Sequence, residues 1–345
     1  MDYIINMLKF VNFSIKFFII FSIVLLLFSL STLWYFSIGL PDYKKLSNYQ
    51  PPISSRVYSN NGRLIAEYAL EKRLFIPYES IPKKIINSFL SAEDKNFFKH
   101  PGIDAKGILR ALIKNLKNIS DNKRLEGAST ITQQVAKNFL LTNEVSLNRK
   151  IKEAILAFRI ERAYSKERIL ELYLNQIYLG QGTYGIAAAS LEYFDKSVKD
   201  LDYSESALLA ALPKAPSKYD PFKYPKVAKF RRNLVLQNLE DNNYINQKQS
   251  SDFKNSKIKL KRRKIEILNE ANSYTEEVRR FIKEKYGFKK LYSEGLTIRT
   301  PLKKDYQIQA IASLRKGIEK YDKRNGWRGP ISNKFKDSNW EKKIE

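Results

Sequence analysis

An uncharged, strongly apolar run near the N-terminus constrains the fold more than any other feature of this chain. It covers residues 17–40 and reads FFIIFSIVLLLFSLSTLWYFSIGL. As a helix rising about 1.5 Å per residue it would be roughly 36 Å long, enough to cross a hydrocarbon core of about 30 Å. No small-x-small cleavage site marks it as a removable signal peptide. Because Trp34 and Tyr35 also suit a membrane–water interface, we predict a transmembrane signal-anchor helix and not a buried core helix.

The charges around this run do not decide which way it crosses the membrane. Lys9 and Lys16 precede it, and Lys44 and Lys45 follow it, so the short flanks balance. A large C-terminal domain crosses a membrane largely regardless of its charge. We therefore expect an uncleaved single-pass anchor, with a cytoplasmic tail at residues 1–16 and the body of the chain on the external side.

Composition narrows the chemistry that the rest of the chain can carry. The 345 residues include no cysteine and a single histidine, His100, which excludes disulfides, cysteine-ligated metals and sites that need two imidazoles. The formal net charge of +26 points to an anionic partner: nucleic acid, a membrane surface or a phosphorylated substrate. We interpret the basic run at residues 259–264 as a solvated helix edge, with anionic lipid headgroups as the alternative partner.

Shifts in composition divide the chain beyond the apolar run. Several prolines at residues 41–55 predict an extended linker. An Asn-Asn-Gly sequence at residues 60–62 lies between two β-rich stretches and predicts a hairpin, because Asn-Gly accepts positive φ at little cost. Apolar residues at helical spacing then dominate. The predicted segments are the tail at 1–16, the transmembrane helix at 17–40, the linker at 41–55, a mainly α domain at 56–225, a charged helical linker at 226–290 and the incomplete start of a further region at 291–345.

Three dense polar clusters interrupt the helical stretches, at residues 91–102, 127–138 and 149–185. Attack of a hydroxyl on a sugar that bears a phosphate leaving group needs an ionised base within hydrogen-bond reach. A pyrophosphate leaves as a stable anion, so it needs neutralising charge more than a proton. The clusters offer Glu93 as the base and Lys137, Arg149 and Lys150 as phosphate-side cations. Side-chain amides that could bind sugar hydroxyls are those of Gln133, Gln134, Asn138 and Asn175.

Several of these polar residues have a competing structural interpretation. We expect Asp94 to order the end of its helix and His100 to order the turn before Gly102. Asp104 is expected to cap the next helix, and Asn175 could terminate its own. On residue type alone, Glu93 and Glu153 are equal candidates for catalysis.

The helix predicted at residues 147–163 is apolar on two sides, which is typical of a buried helix. Glu153 and Arg149 fall within one of these apolar faces at about 100° per residue. We therefore predict that Glu153 is buried and that its charge depends on Arg149, one turn away.

The clusters belong to five ordered blocks, which read Glu93-Asp94-x-x-Phe97-x-x-His100-x-Gly102, Gly127-Ala-Ser129-Thr130-x-Thr132-Gln133-Gln134-x-x-Lys137-Asn138, Arg149-Lys150-x-x-Glu153, Lys166-x-x-Ile169-Leu170-x-x-Tyr173-Leu174-Asn175 through Gly180-x-Gly182-x-x-Gly185-Ile186, and Glu205-x-Ala207-x-Leu209-Ala210 through Pro216-x-x-Tyr219-x-Pro221. Together they cover about residues 55–225. In this order they resemble the peptidoglycan glycosyltransferase (family 51) domain of class A, 1A-like penicillin-binding proteins.

The resemblance implies a lysozyme-like, mainly α domain with a small β-hairpin, lying against the membrane. It implies that lipid II is polymerised into β-1,4 glycan strands with inversion and release of polyprenyl pyrophosphate, in cell-wall synthesis. Glu93 would deprotonate the acceptor 4-hydroxyl, and Glu153 would assist on the pyrophosphate side, directly or as a ligand of Mg²⁺ or Mn²⁺. Ser129 and Thr130 join the substrate-binding residues on the same ground. No organic cofactor is implied.

The implied partners are lipid II and the nascent glycan strand, membrane lipids and the cell-wall synthesis machinery, with no nucleic acid. Two positions depart from the family pattern. Val145 stands where many relatives carry an arginine, and Asp195 stands in a turn where they carry glycine. A transpeptidase domain would need Ser-x-x-Lys, Ser-x-Asn and Lys-Thr-Gly in that order. No Lys-Thr-Gly occurs, so we expect no transpeptidase activity from this chain.

Two other functions compete with a polymerase. A lytic, glycan-cleaving enzyme on the same kind of fold would need an acid at a neutral glycosidic bond and not phosphate-binding cations. A non-catalytic, membrane-anchored basic scaffold for anionic lipid or nucleic acid would bind in a strongly salt-dependent way, and its binding would survive the loss of Glu93.

Overall fold

The computed structural model is mainly helical and describes residues 2–47, 49, 51–69, 71–120, 127–142, 144, 146–262 and 271–326. Its helices are α1 (Asp2–Ser37), α2 (Lys83–Glu93), α3 (Ala105–Ser120), α4 (Ile131–Leu140), α5 (Leu147–Ala163), α6 (Lys166–Gln176), α7 (Ile186–Phe194), α8 (Tyr203–Ala211), α9 (Pro225–Asp241), α10 (Gln247–Asn255), α11 (Asn272–Tyr286), α12 (Phe288–Ser293) and α13 (Lys304–Arg324). Its strands are β1 (Ser55–Tyr58), β2 (Leu64–Tyr68), β3 (Lys72–Arg73), β4 (Tyr178–Gly180), β5 (Thr183–Tyr184) and β6 (Thr297–Arg299). The predicted mainly α class is confirmed.

The chain forms two compact units, each built from two stretches of sequence. One unit consists of Met1–Pro51 and Glu71–Arg263, and the other of Pro52–Leu70 and Lys264–Glu345. This division differs from the predicted domain at 56–225, because the predicted hairpin groups with the C-terminal stretch. The predicted boundaries themselves stay predictions.

The apolar part of α1 suits a membrane by length and composition. It covers Ile15–Ser37, 23 residues with a mean hydropathy of 2.4, and is not buried within the protein. The helix ends at Ser37, before the predicted end at residue 40, and Gly39 then takes a φ of +73°. Glycine enters this left-handed region without a steric penalty, so it can end the helix here.

The helix α8 lies at the centre of the first unit's core. Its residues 206–211 are buried, and it packs against α2 and α9. Alanine and serine make up five of its nine residues, and these small side chains allow its neighbours to approach closely. The helix begins with a capping box formed by Asp202 and Glu205. Facing it, α2 buries Ile85 and Phe89 completely, and this packing fixes where α2 ends.

One face of α5 is buried and the other is only partly covered, whereas the sequence predicted burial on both sides. Leu156, Ala157 and Ile160 are fully buried, while Phe158 on the opposite face is 40% exposed. The guanidinium of Arg162 lies 4.6 Å from the centre of the Phe158 ring. This cation–π contact covers part of an aromatic ring that the core does not enclose.

The predicted extended linker contains a helical turn that belongs to the first unit's core. Tyr43–Leu46 form a 3₁₀ turn, which Asp42 caps by accepting a hydrogen bond from the Lys44 N–H. Leu46 is 2% exposed and packs in the main core. The hydroxyl of Tyr164, at the end of α5, donates to the Tyr43 carbonyl at 3.1 Å. The chain between α1 and the helical domain is therefore held at several points.

The second unit contains a three-stranded sheet with the order β2-β1-β6. β1 and β2 form the predicted antiparallel hairpin, and Gly62 in its turn has a φ of +77°. β6, close to the C-terminal end of the described residues, pairs in parallel with β1. Val57 of β1 and Leu302 after β6 are buried in the small core of this unit, which explains why the hairpin groups with the C-terminal stretch.

Candidate active site

Glu93 is the last residue of α2 and lies on the wall of a cavity of about 740 Å³ in the first unit. The buried stripe of α2 directs its final turn toward this cavity. Asp94 then leaves the helix in an extended conformation, with φ −159° and ψ 77°. Glu93 is therefore presented by a rigid helix and not by a mobile loop.

The cavity wall is polar and more basic than acidic. From the predicted clusters it includes Glu93, Asp94, Ser129 and Gln134. The other charged side chains along the described wall are Lys95, Arg110, Lys114, Lys214, Arg231 and Asp241. A concave site with this balance of charge suits an anionic ligand.

Burial raises the pKa of Glu93 above its ordinary value, because the cavity wall desolvates the carboxylate. The Gln134 side chain opposes this shift by donating from Nε2 to Glu93 Oε2 at 2.8 Å. Arg231 and Lys214 lower the pKa further through their charges, and the Asp94 carboxylate raises it. Glu93 is thus a carboxylate whose basicity is increased while cations favour its ionised form.

Asp94 and His100 order the loop after α2, as predicted. The His100 Nε2 lies 3.0 Å from Asp94 Oδ1, and its Nδ1 accepts the Gly102 N–H at 3.2 Å. Because Nδ1 accepts, the ring proton sits on Nε2 and is donated to Asp94. Asp94 also accepts the Ile131 N–H at 3.0 Å, at the start of α4. Gly102 is required here, since a Cβ would lie 2.8 Å from the Ala157 carbonyl oxygen.

Thr130 and Gln133, both predicted to bind substrate, form the capping box of α4. Thr130 Oγ1 accepts the Gln133 N–H at 3.2 Å, and Gln133 Oε1 accepts the Thr130 N–H at 2.9 Å. The same Thr130 hydroxyl donates to the Gly102 carbonyl at 2.6 Å. Both side chains are buried, so the polar atoms that define the capping box face protein groups.

The remaining predicted residues of α4 lie along the helix with different exposure. Gln134 is half-buried and lines the cavity beside Glu93. Lys137 is half-buried and Asn138 is exposed, and neither belongs to the described cavity wall. The second cluster therefore contributes its second glutamine directly to the cavity.

Glu153 is 1% exposed and holds two cations of α5. Its Oε1 accepts a hydrogen bond from Arg149 Nη1, and its Oε2 lies 2.7 Å from Lys150 Nζ. The Lys150 Nζ also donates to Ser129 Oγ at 2.6 Å. Ser129 lines the cavity, so this chain of contacts connects the buried carboxylate to the cavity wall. The predicted burial of Glu153 and its pairing with Arg149 are confirmed.

The donor set at Glu153 does not fit Mg²⁺ or Mn²⁺ as it stands. Arg149 and Lys150 occupy both of its carboxylate oxygens. Among the described residues, no group of three or more acidic or imidazole side chains could hold a metal ion. A hard divalent cation requires several oxygen ligands, so no step of the chemistry is assigned to one here.

Asn175 of α6 bridges to the strand-like segment before α2. Its Oδ1 accepts the Ile76 N–H at 2.8 Å, and its Nδ2 donates to the carbonyls of Ile76 and Glu171 at 2.8 and 2.9 Å. Both amide hydrogens are donated to backbone, and Asn175 is not part of the described cavity wall. The geometry gives it a structural function.

The sequence reasoning missed two basic residues of the cavity wall, Lys214 and Arg231. Lys214 follows α8, inside the fifth block but between its recognisable positions. Arg231 lies on α9, in the stretch predicted to be a linker. Its Nε is buried and has no hydrogen-bond partner among the described residues. Arg231 and Asn238 are two helical turns apart, so they share one face of α9, and both line the cavity. This spacing of polar residues was the sequence signal that could have predicted their place in the site.

One of the two departures from the family pattern is explained by the structure. Asp195 ends α7 with φ 54° and ψ 39°, a left-handed conformation that aspartate tolerates better than most residues. Its Oδ2 pairs with Lys261 Nζ at 2.7 Å, so part of the basic run is engaged in the protein. Val145 lies outside the described residues.

Comparisons with known proteins agree on one family. The model of the Transglycosylase family matches residues 61–240. Penicillin-binding protein 1A of Rickettsia felis is 49% identical over 317 residues, which is 91% of this chain and 40% of the relative. The same-named protein of Aquifex aeolicus is 44% identical over 285 residues, 83% of this chain and 38% of the relative.

A solved structure has the same fold. The crystal structure of penicillin-binding protein 1A from Haemophilus influenzae superposes with a TM-score of 0.51 at 26% sequence identity, over 83% of this chain and 32% of that one. This chain thus spans about two fifths of the length of the curated relatives that it matches.

Proposed function

This chain belongs to the transglycosylase family, and on that premise we propose that it polymerises lipid II into β-1,4 glycan strands with inversion, releasing polyprenyl pyrophosphate. The observation that carries the proposal is Glu93, a carboxylate of raised pKa on the wall of a cation-rich cavity. Attack on a sugar pyrophosphate needs a base on one side and positive charge on the other. The cavity supplies both.

Glu93 acts as the general base in this proposal. Because Gln134 donates to Oε2, Oε1 remains to accept the proton of the acceptor 4-hydroxyl. The oxygen then forms a bond to the anomeric carbon as the bond to the pyrophosphate oxygen breaks on the opposite face. A raised pKa makes the carboxylate a stronger base, and the charges of Arg231 and Lys214 favour its ionised form.

The leaving pyrophosphate needs neutralising charge, which we assign to Lys137, Arg149 and Lys150. Glu153 positions the last two by pairing with both, so its contribution on the leaving-group side passes through these cations. Lys214 and Arg231, the cations that the sequence reasoning missed, line the same cavity and are also proposed to contact phosphate oxygens. The buried, unpartnered Nε of Arg231 supports this assignment.

The other predicted substrate residues divide by their surroundings. Ser129 and Gln134 line the cavity and are proposed to bind substrate directly. Asn138 is exposed outside the described wall and is proposed to bind substrate there. Thr130 and Gln133 are proposed to cap the start of α4. Asn175 is proposed to bind α6 to the backbone of Ile76. A divalent cation stays a prediction, to be tested by assay.

The anchor and partners follow from the same substrate. We propose that α1 holds the chain in the inner (cytoplasmic) membrane with the domain on the periplasmic side, because a polyprenyl-linked substrate stays in the bilayer. Membrane lipids, the nascent glycan strand and the cell-wall synthesis machinery are the proposed partners. Nucleic acid is not among them.

The test is polymerisation of labelled lipid II in detergent by the native chain, by Glu93→Gln and by the control Glu192→Gln. Glu192 pairs with Lys72 at 2.8 Å, away from the cavity. We expect glycan polymer from the native chain and the control, and none from Glu93→Gln. Activity in Glu93→Gln would refute the base assignment, and no polymer from a folded native chain with either Mg²⁺ or Mn²⁺ would refute the polymerase.

A further inference from the structure

Two asparagine side chains, one on α9 and one directly after it, donate hydrogen bonds to the last turn of α2. The Asn238 Nδ2 donates to the Ser91 carbonyl oxygen at 3.0 Å, and the residue following α9, Asn242, donates from Nδ2 to Ser91 Oγ at 3.1 Å. Ser91 is 7% exposed and lies two residues before Glu93. Both asparagines also line the cavity that Glu93 faces.

These contacts compensate for a general weakness of helix ends. The last four carbonyls of a helix have no partner within the helix. In α2, the Leu90 carbonyl accepts the Asp94 N–H at 2.9 Å, and the next carbonyl, that of Ser91, receives its hydrogen bond from Asn238. Without that donor, the turn that carries Glu93 would lose one of the hydrogen bonds that hold it in place.

We propose that Asn238 and Asn242 are positioning residues for Glu93, which hold the final turn of α2 at the cavity wall by binding both polar groups of Ser91. The inference rests on the proposed function, since it takes Glu93 as the base. It assigns a function in the site to α9, a helix beyond the recognisable sequence blocks. Neither asparagine needs to touch the reacting atoms.

The arrangement also affects the charge of Glu93. Carbonyls at a helix C-terminus carry partial negative charge, which disfavours an anion there. The amide of Asn238 offsets that charge at Ser91, so its removal should raise the pKa of Glu93. The charged and titratable groups facing Glu93 or its cavity, which the substitutions below leave in place, include Asp94, Arg110, Lys114, Tyr173, Lys214, Arg231 and Asp241.

The first experiment compares Asn238→Leu with the native chain and with Gln237→Met. Gln237 is the preceding residue of α9, and its amide contacts Asp241 and Lys254 instead of α2. We expect Asn238→Leu to lower kcat for lipid II polymerisation about fivefold or more, the factor that corresponds to one net hydrogen bond of about 1 kcal/mol. KM should change by less than about twofold, because ground-state binding is untouched.

The pH profile separates positioning from general destabilisation. The acidic limb of kcat/KM reports ionisation of the base in the free enzyme, so we expect it to move to higher pH in Asn238→Leu and to stay in place in Gln237→Met. An acidic limb that does not move, or an equal change in both variants, would overturn the proposal.

A double-mutant cycle tests the second contact. Asn242→Ala and Ser91→Ala each remove one side of the same hydrogen bond, so the double variant should lose little more kcat than either single variant. Fully additive losses would show that Asn242 acts elsewhere and would contradict its assignment.

A final readout does not depend on activity. The pKa of Glu93 can be followed by ¹³C NMR of glutamate-labelled chain, with the resonance identified by its absence in Glu93→Gln. A pKa that is higher in Asn238→Leu than in the native chain supports the proposal even in a chain that makes no polymer, whereas an unchanged pKa refutes it. Failure of the polymerase and failure of the positioning inference therefore give different results.

Discussion

Replacing Thr130 with valine should cost stability and leave substrate affinity unchanged, because its hydroxyl is used within the protein. The side chain is 2% exposed. Its oxygen accepts the Gln133 N–H at 3.2 Å and donates to the Gly102 carbonyl at 2.6 Å. Valine keeps the shape and removes both hydrogen bonds.

The expected loss can be worked from these two contacts. Removing an N-cap hydroxyl costs about 1 kcal/mol, and removing a second buried hydrogen bond costs about 1 kcal/mol more. The predicted decrease in the free energy of unfolding is therefore about 2 kcal/mol, equivalent to a factor of about 30 in the folding equilibrium. Thr130→Ser keeps the hydroxyl and loses one buried methyl, so it should cost about 0.8 kcal/mol.

The measurement is urea unfolding in detergent, followed by the helical circular dichroism signal, for the native chain, Thr130→Val and Thr130→Ser. Lipid II polymerisation is then measured below the unfolding transition, where we expect KM of the valine variant to stay within about twofold of the native value. An unchanged unfolding midpoint together with a tenfold higher KM would refute the capping argument. It would return Thr130 to the substrate-binding residues.

Two further predictions concern charge and backbone conformation. Glu93→Gln should stabilise the fold at neutral pH, because the folded-state pKa of Glu93 lies above its ordinary value and the native chain therefore loses stability as the pH rises from the ordinary value through the raised one. The gain from glutamine should vanish below the ordinary pKa. A gain in urea midpoint that is independent of pH would contradict this. Asp195→Ala should lower the free energy of unfolding by about 1 kcal/mol, because alanine is strained at φ 54°. Asp195→Gly should change it by less than about 0.5 kcal/mol, since the relief of backbone strain offsets the loss of a weak exposed ion pair. Equal unfolding midpoints for the two variants would contradict the strain argument.

Features that depend on local sequence were predictable. The helix caps at Ser165 and Asp202, the hairpin around Gly62 and the pairing of Glu153 with Arg149 follow from short-range chemistry. The position of Glu93 at the end of α2 also follows from local sequence, because an apolar stripe places the next turn at the edge of the core.

Long-range packing limited the rest of the prediction. Leu46 looked like part of a linker because its proline-rich neighbours carry no helical period, yet it is buried in the main core. The grouping of residues 52–70 with the C-terminal stretch depends on β1 pairing with β6, more than 200 positions later. Thr130 and Gln133 satisfy both a capping signature and a substrate-binding pattern, and only their hydrogen-bond partners distinguish the two.

The surroundings of Glu93 lower the stability of the fold and suit the proposed reaction, and both effects come from the raised pKa of its carboxyl group. Burial raises the pKa of Glu93 most, and the neighbouring Asp94 carboxylate raises it further. The C-terminal end of α2 also disfavours an anion. A general base benefits from a higher pKa only while it remains ionised and correctly placed. Arg231 favours the ionised form, and Asn238 fixes the turn.

Arg231 and Asn238 both lie on α9, beyond the predicted domain end at residue 225. The same helix buries Val235, Leu236 and Leu239 in the main core. A domain cut at residue 225 would therefore lose part of its core together with two residues that we propose support Glu93 as the base. The smallest part of this chain that can carry the proposed activity has to include α9.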